Sequence, residues 1–249
     1  MSNVIASHSS GQSLPPRQES NPPFPQAFRD AARVQQSLLA RVEKCCLVWL
    51  AGQLPVWVNP DHLTALGFAS MILAGASYAL ARIWAPSLLV VNLWLAVNWF
   101  GDSLDGTLAR ERQCQRPRYG FYVDHIVDSL GALFVVGGLA ISGYITWWVA
   151  MGLLLNFYLL SINAYLATYT LGTFQLSYWK VSPTEIRILL GVGNVFAFVR
   201  PTVRLIPAHP RFFDVSGAVA IAAMAAVLAV SVARNTIALY RLERFKCAG

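Results

Sequence analysis

Charged residues are scarce in this chain. Only 12% of its 249 residues are Asp, Glu, Lys or Arg, whereas ordinary globular domains carry about 25%. Residues of the AVILMFWYC class make up 56%, and the mean hydropathy is +0.49. This composition argues against an ordinary soluble enzyme. It favours a polytopic membrane protein with about six spans of roughly 20 residues each.

Cysteines and acidic residues are also few, and both observations bear on which functions the chain could have. The four cysteines show no CxxC spacing, and Cys45 and Cys46 are adjacent, so neither a zinc site nor a disulfide framework is indicated. Acidic residues number only twelve, which leaves a formal net charge of +7. Because most basic residues flank apolar stretches, cytoplasmic flanking charge explains them better than nucleic-acid binding.

Three regions are predicted along the chain. Residues 1–28 are polar and interrupted by prolines, which is typical of a disordered tail and not of a secretory signal. In residues 29–58 basic and apolar side chains alternate, which predicts an amphipathic helix lying on the membrane surface. Residues 59–249 hold the six apolar spans and form the predicted transmembrane domain. The predicted fold is therefore an all-α integral membrane protein with six transmembrane helices.

Short loops between the six spans predict that neighbouring helices run antiparallel. The approximate spans are 62–81, 87–110, 119–141, 147–171, 183–199 and 215–240. Both termini then lie on the same side as the basic loop 110–119, and the excess of Lys and Arg places that side in the cytoplasm. The basic cluster within residues 200–211 lies on the opposite side and weakens this assignment without reversing it.

Four of the few acidic residues lie at the ends of two apolar spans. Asp102 and Asp105 end the second span, and Asp124 and Asp128 begin the third. A charged Asp at the centre of a membrane helix costs about 2.5 to 3.5 kcal/mol, so such residues are functional by default. The alternative is a set of interfacial salt bridges with the neighbouring arginines, which would explain one or two carboxylates better than four.

Helical spacing directs these carboxylates toward one groove. On each of the two helices these residues fall within a stripe about 100° wide around the helix axis. The first stripe holds Asp102, Asp105, Gly106 and Ala109, and the second holds Gly120, Asp124 and Asp128. Like charges this close cannot all stay ionised without a cation. Oxygen ligands suit Mg²⁺ or Mn²⁺, and such ions bridge phosphate oxygens. The small residues leave room for a substrate, and Arg110 adds positive charge for its phosphate.

The same stretch resembles the signature of a membrane-enzyme family. Residues 102–110 read DSLDGTLAR and residues 120–128 read GFYVDHIVD. They match all eight positions of D-x2-D-G-x2-A-R followed by G-x3-D-x3-D, the signature of the CDP-alcohol phosphotransferases. Residues 59–64 also resemble the beginning of the first span in that family.

The resemblance implies a phospholipid-synthesising transferase. In this family a hydroxyl attacks the phosphorus that carries the alcohol of a CDP-linked alcohol, and CMP leaves. By position, Asp102, Asp105 and Asp124 resemble ligands of two Mg²⁺ or Mn²⁺ ions. Asp128 resembles a further ligand or the base for the attacking hydroxyl.

The resemblance also indicates which residues would bind the nucleotide. Gly106 and Ala109 resemble part of the cytidine pocket, with Gly120 opposite them, and Arg110 would lie near the diphosphate. Divalent ions would hold the diphosphate, and positioning would supply most of the remaining rate enhancement.

Two residues bear on the branch of the family. His125, within the third span, and Glu185, in the Pro-Thr-Glu that begins the fifth, resemble the choline and ethanolamine phosphotransferases, where an acid works with the His as base. Histidine has an unperturbed pKa of about 6.5, which suits a general base. Both residues also have structural interpretations. Glu185 completes a capping box with Ser182 and Pro183, and His125 could be an interfacial aromatic residue.

Transfer of a phospho-alcohol group to diacylglycerol, as in the choline and ethanolamine enzymes, is the favoured function. The close alternative is phosphatidyl transfer from CDP-diacylglycerol to a soluble alcohol. A membrane prenyltransferase usually carries its Asp motifs in two separated halves, and a cation transporter would need no CDP substrate. The expected partners are the CDP-linked alcohol, a lipid or alcohol acceptor and membrane lipids. A second copy of the chain, in a homodimer, is a further candidate partner.

Overall fold

A computed structural model describes residues 40–171, 183–202 and 210–243. The predicted tail 1–28, residues 29–39 of the amphipathic segment, and Ser182 lie outside the described residues. Seven helices make up most of the described chain: α1 Ala40–Gln53, α2 Pro60–Leu80, α3 Ser87–Glu111, α4 Pro117–Ser142, α5 Trp147–Leu171, α6 Pro183–Val199 and α7 Phe212–Leu242. In these ranges the only strand-like pairing is a single bridge between Thr202 and Arg211. The all-α prediction is confirmed.

Five of the helices are long and apolar enough to cross a membrane, namely α2, α3, α4, α5 and α7. They coincide with five of the six predicted spans. The remaining span corresponds to α6, which has 17 residues and is shorter than the roughly 20 that a full crossing needs. A sixth crossing therefore stays a prediction.

Glycines allow α2 to lie close to both helices that carry the carboxylates. A Cβ atom at Gly101 of α3 would lie 2.6 Å from the carbonyl oxygen of Leu63. On the α4 side, a Cβ at Gly75 would overlap the backbone of Phe134, and one at Gly138 would overlap Gly75 itself. Small residues permit such close helix packing in membranes. Through these contacts α2 holds the end of α3 beside the beginning of α4.

The helix α1 packs against protein at the end of the bundle where α3 ends and α4 begins. Its buried Leu47 and Ala51 form a cluster with Leu63, Leu104 and Leu108. Leu104 and Leu108 lie among the signature residues of α3 and are fully buried. The described part of the predicted amphipathic segment thus contacts α3 with its apolar side.

Candidate active site

The four acidic residues predicted to form the site, Asp102, Asp105, Asp124 and Asp128, are called here the signature carboxylates. The two on α3 lie near its C-terminal end, and the two on α4 lie near its N-terminal end. The charges of Asp102 and Asp124 act on Asp105, and those of the other three act on Asp128. The structure therefore brings all four together in one electrostatic cluster.

Asp105 is the most firmly held of the signature carboxylates. It is buried. Its Oδ2 accepts a hydrogen bond of 2.6 Å from the hydroxyl of Thr64 on α2, and its Oδ1 accepts one of 2.5 Å from the backbone N–H of Gly106. Hydrogen bonds to an ionised oxygen are among the stronger ones in proteins, so Asp105 is fixed from two helices.

Asp102 pairs with a cation from α6. Arg187 donates from Nη2 to its Oδ2 at 2.5 Å. The same guanidinium donates from Nε to Oδ1 of Asn98 at 2.7 Å, and Nδ2 of Asn98 donates to the carbonyl of Gly67 at 3.1 Å. A chain of hydrogen bonds therefore links Gly67 on α2, Asn98 on α3 and Arg187 on α6 to the carboxylate of Asp102.

Asp128 is accessible to solvent and is also influenced by several charged groups. Its side chain keeps solvent-accessible surface, while the charges of the other signature carboxylates and of Arg187 act on it. Arg187 on α6 therefore acts on signature carboxylates of both α3 and α4.

An open groove is lined by Asp105 and Asp124, two of the signature carboxylates, and contains about 420 Å³ of space, including the part that opens outward. Its walls include five of the predicted site residues: Asp105, Gly106, Ala109, Gly120 and Asp124. A Cβ at Gly120 would meet no atom within 4 Å, and one at Gly106 would meet only Nη1 of Arg110, at 3.6 Å. Protein packing thus does not require glycine at either position, and the missing side chains leave open space.

Two arginines of the basic loop have partners other than the signature carboxylates. Arg116 pairs with Asp61 at the start of α2 and lies 4.1 Å from the ring centre of Tyr119. The neighbouring carboxylate raises the pKa of Arg116 above its ordinary value. Arg112 donates to four backbone carbonyls between Leu54 and Val58, which ties the connection before α2 to the end of α3. These contacts weaken the salt-bridge interpretation for Arg112 and Arg116.

The donor chemistry of the signature carboxylates fits a hard divalent cation, because carboxylate oxygens are preferred ligands of Mg²⁺ and Mn²⁺. In the described ranges, no three side chains of Asp, Glu, His or Cys lie close enough together to hold one metal ion. Asp102 faces Arg187 and Asp105 faces Thr64 instead. By type and location, the residues fit a divalent ion.

His125 is held within a group of aromatic rings. Its imidazole lies 4.1 Å from the ring of Phe121 and 4.8 Å, edge to face, from Tyr165 on α5. Its Nδ1 lies 2.5 Å from the carbonyl oxygen of Phe121. A proton on Nδ1 would donate to that oxygen and leave Nε2 as the acceptor, the form that a general base needs.

Glu185 lies in the first turn of α6, which begins at Pro183 as the sequence predicts. Its side chain is half-buried. The neighbouring Thr184 donates to Oε1 of Glu43 on α1 at 2.7 Å. The catalytic roles of His125 and Glu185 stay predictions.

Several site residues escaped the sequence analysis. Thr64, Asn98 and Arg187 contact the signature carboxylates directly or through one neighbour. Arg187 could have been found, since an arginine within a predicted apolar span is a strong functional signal. Glu43 gave no signal, because its links to Trp99 at 2.9 Å and to Thr184 depend on tertiary packing.

Comparison with known proteins agrees with the signature. Residues 57–235 match the profile of the CDP-alcohol phosphatidyltransferase family. Archaetidylinositol phosphate synthase of Pyrococcus horikoshii is 27% identical over 149 residues, which cover 60% of this chain and 76% of that protein. Human cholinephosphotransferase 1 is 30% identical over 161 residues, again 60% of this chain but only 38% of the human protein.

The family match extends over more than half of the chain, and the two relatives are named as a synthase and a phosphotransferase. Together with the five long apolar helices, it makes the protein a multi-pass integral membrane transferase of phospholipid synthesis. The resemblance seen in the sequence is confirmed: the chain belongs to the CDP-alcohol phosphatidyltransferase family.

Proposed function

We propose that this protein transfers a phospho-alcohol group from a CDP-linked alcohol to a hydroxyl acceptor and releases CMP, with two Mg²⁺ or Mn²⁺ ions. The observation that carries the proposal is the cluster of four signature carboxylates beside a groove walled by Gly106, Ala109 and Gly120. The site opens at the end of the bundle that holds the basic loop. We place that end in the cytoplasm, where soluble nucleotide is available.

Each part of the groove has a role in this proposal. Bound divalent ions would hold the diphosphate and neutralise the charge that develops on the leaving CMP. The open space at Gly106 and Gly120 admits the nucleotide, and Arg110 adds positive charge near its phosphates. The carboxylate of Asp128 takes part in metal binding or accepts the proton of the attacking hydroxyl. Holding both substrates in line supplies most of the remaining acceleration.

We favour the branch in which a CDP-linked amino alcohol is the donor and diacylglycerol is the acceptor. Its support is the pair His125 and Glu185 and the similarity to cholinephosphotransferase 1. In this branch Nε2 of His125 accepts the proton of the lipid hydroxyl. The packing of His125 against Phe121 and Tyr165 would fix the direction of its imidazole.

The alternative is phosphatidyl transfer from CDP-diacylglycerol to a soluble alcohol. It is favoured by the similarity to archaetidylinositol phosphate synthase, which extends over 76% of that relative. The same signature carboxylates would serve either reaction, because both break the bond between CMP and the second phosphorus. Family membership favours both transferase reactions over a prenyltransferase or a cation transporter.

A donor panel tests the proposal. The purified protein in detergent, with Mg²⁺ or Mn²⁺, receives CDP-choline, CDP-ethanolamine or CDP-diacylglycerol, each with a matching acceptor, and CMP is measured. CMP release from a CDP-amino alcohol with diacylglycerol supports the favoured branch. Release from CDP-diacylglycerol alone supports the alternative. No CMP from any donor would contradict both.

A further inference from the structure

Arg187 enters the carboxylate cluster from α6 in a fixed orientation. One edge of its guanidinium contacts Asp102 at 2.5 Å, and its Nε contacts Asn98 at 2.7 Å. The Arg187 side chain is only 15% exposed, against 33% for Asp102. Asn98 is buried and is anchored on the carbonyl of Gly67. This arrangement differs from a mobile surface ion pair, because the planar fork of arginine is held on two sides.

The charge of Arg187 reaches beyond its direct partner. It also acts on Asp128, which lies on α4. Four neighbouring carboxylates repel one another strongly when no cation is present. Since arginine stays protonated at any physiological pH, Arg187 supplies one permanent positive charge to this cluster.

A divalent ion and the guanidinium compete for the same carboxylate. The Oδ2 atom of Asp102 that accepts from Arg187 is a natural ligand atom for a metal at the signature carboxylates. Two cations bound to one oxygen would repel each other. Metal binding therefore favours release of Arg187 from Asp102, and the Arg187–Asp102 pair disfavours metal binding by the same free energy.

We propose that Arg187 is the resident counter-ion of the metal site: it holds Asp102 while no divalent ion is bound, and it is displaced when the ion binds. Arg187 is thus a positioning residue that sets metal affinity and couples α6 to metal occupancy. This inference rests on the proposed metal-dependent function.

Binding of Mn²⁺ to the purified protein without substrate, followed by electron paramagnetic resonance, tests the proposal. Arg187→Gln removes the charge and should tighten Mn²⁺ binding by about 5- to 150-fold, the usual range for coupled binding events. The melting temperature without metal should fall, and the rise on adding Mn²⁺ should exceed that of the wild type. Arg187→Lys keeps the positive charge but loses the planar guanidinium. Its Mn²⁺ affinity should therefore lie between those of the wild type and Arg187→Gln.

Arg82→Gln is the matched control, because Arg82 is exposed in the connection after α2, at the other end of the bundle. Its Mn²⁺ affinity should equal that of the wild type. Unchanged or weaker binding in Arg187→Gln would overturn the proposal. If that variant does not insert, wild-type affinity in Arg187→Lys would do the same.

The metal-dependent function and the role of Arg187 can fail separately. A wild-type protein that binds Mn²⁺ and releases CMP, with an Arg187→Gln variant of unchanged affinity, contradicts only the role of Arg187. A wild-type protein that neither binds Mn²⁺ nor releases CMP contradicts the metal-dependent function and the counter-ion together.

Discussion

The hydroxyl of Thr64 on α2 donates a hydrogen bond of 2.6 Å to the carboxylate of Asp105 on α3. The same hydroxyl lies 3.2 Å from the carbonyl oxygen of Pro60, one helical turn earlier. No signature residue lies on α2, yet this helix fixes the direction of a buried signature carboxylate. The site is therefore built from α2 as well as α3, α4 and α6, and its geometry depends on how closely α2 approaches α3.

Replacing Thr64 tests this dependence. Thr64→Val keeps the shape and removes the hydroxyl, so the carboxylate of Asp105 loses a bond to a charged group worth about 1.5–3 kcal/mol. We expect kcat/KM for CMP release to fall about 10- to 100-fold. Thr64→Ser keeps the hydroxyl and should stay within a few-fold of the wild type. Equal activity in the Val and wild-type proteins would show that this bond has no role.

Filling the groove should impair nucleotide binding without harming the fold. A Cβ at Gly120 meets no protein atom within 4 Å, so Gly120→Val should insert and melt like the wild type. Because the side chain projects into the groove, KM for the CDP-linked donor should rise, by at least about tenfold for a loss of 1.4 kcal/mol. Gly137→Val is the control on the same helix, since Gly137 also has open space around it and lies outside the groove. An unchanged KM in Gly120→Val would place the nucleotide elsewhere.

Much of the fold followed from the sequence, because span length and apolar composition depend on local chain properties. The predicted spans 87–110 and 147–171 differ from α3 and α5 by no more than one residue. The bounds of α6 also match the predicted span 183–199, but its crossing of the membrane stays a prediction, since its length is close to the limit for a full crossing. The packing of Leu47 and Ala51 on α3 was not visible, because an apolar helix face fits a lipid surface or a protein surface equally well.

The residues of the site were likewise predictable where they depend on local sequence and not where they depend on helix packing. The signature carboxylates were found because their spacing along α3 and α4 already fixes their helical faces. Thr64 and Arg187 were missed because each reaches the site across a gap of many residues in the chain. Such partners depend on helix packing, which periodicity within one helix does not encode.

The general base separates the two branches of the family. If His125 and Glu185 act together on a lipid hydroxyl, His125→Ala and Glu185→Ala should each lower turnover about 10²–10⁴-fold. Binding of Mn²⁺ and of nucleotide should survive, because neither residue is a proposed metal ligand. Glu185→Gln is the sharper variant, since it keeps most of the capping hydrogen bond and removes the charge. An active Glu185→Gln with an unstable Glu185→Ala would make Glu185 a structural cap and Asp128 the better base.

The orientation in the membrane can be measured at one exposed thiol. Cys114 lies in the connection between α3 and α4, beside the groove, and is exposed. With Cys45, Cys46 and Cys247 changed to Ser, a membrane-impermeant thiol reagent should modify Cys114 only after the cells are permeabilised. Arg82→Cys in a protein that also lacks Cys114 should show the opposite pattern. Labelling of Cys114 in intact cells would reverse the predicted topology.

Metal-dependent CMP release tests the account most directly. The purified protein should release CMP from a CDP-linked substrate with Mg²⁺ or Mn²⁺ and should stop when EDTA is added. Single changes to Asn at Asp102, Asp105, Asp124 and Asp128 keep the shape but remove the charge. Each should lower the rate by at least about 100-fold while the protein still inserts.

Asp214→Asn is the control for loss of a carboxylate. Asp214 accepts hydrogen bonds from Thr146 at the opposite end of the bundle, so its loss should leave the rate of CMP release near that of the wild type. The account predicts four inactive variants and one active control. Full activity in two or more of the four signature variants, or undiminished CMP release in EDTA, would contradict it.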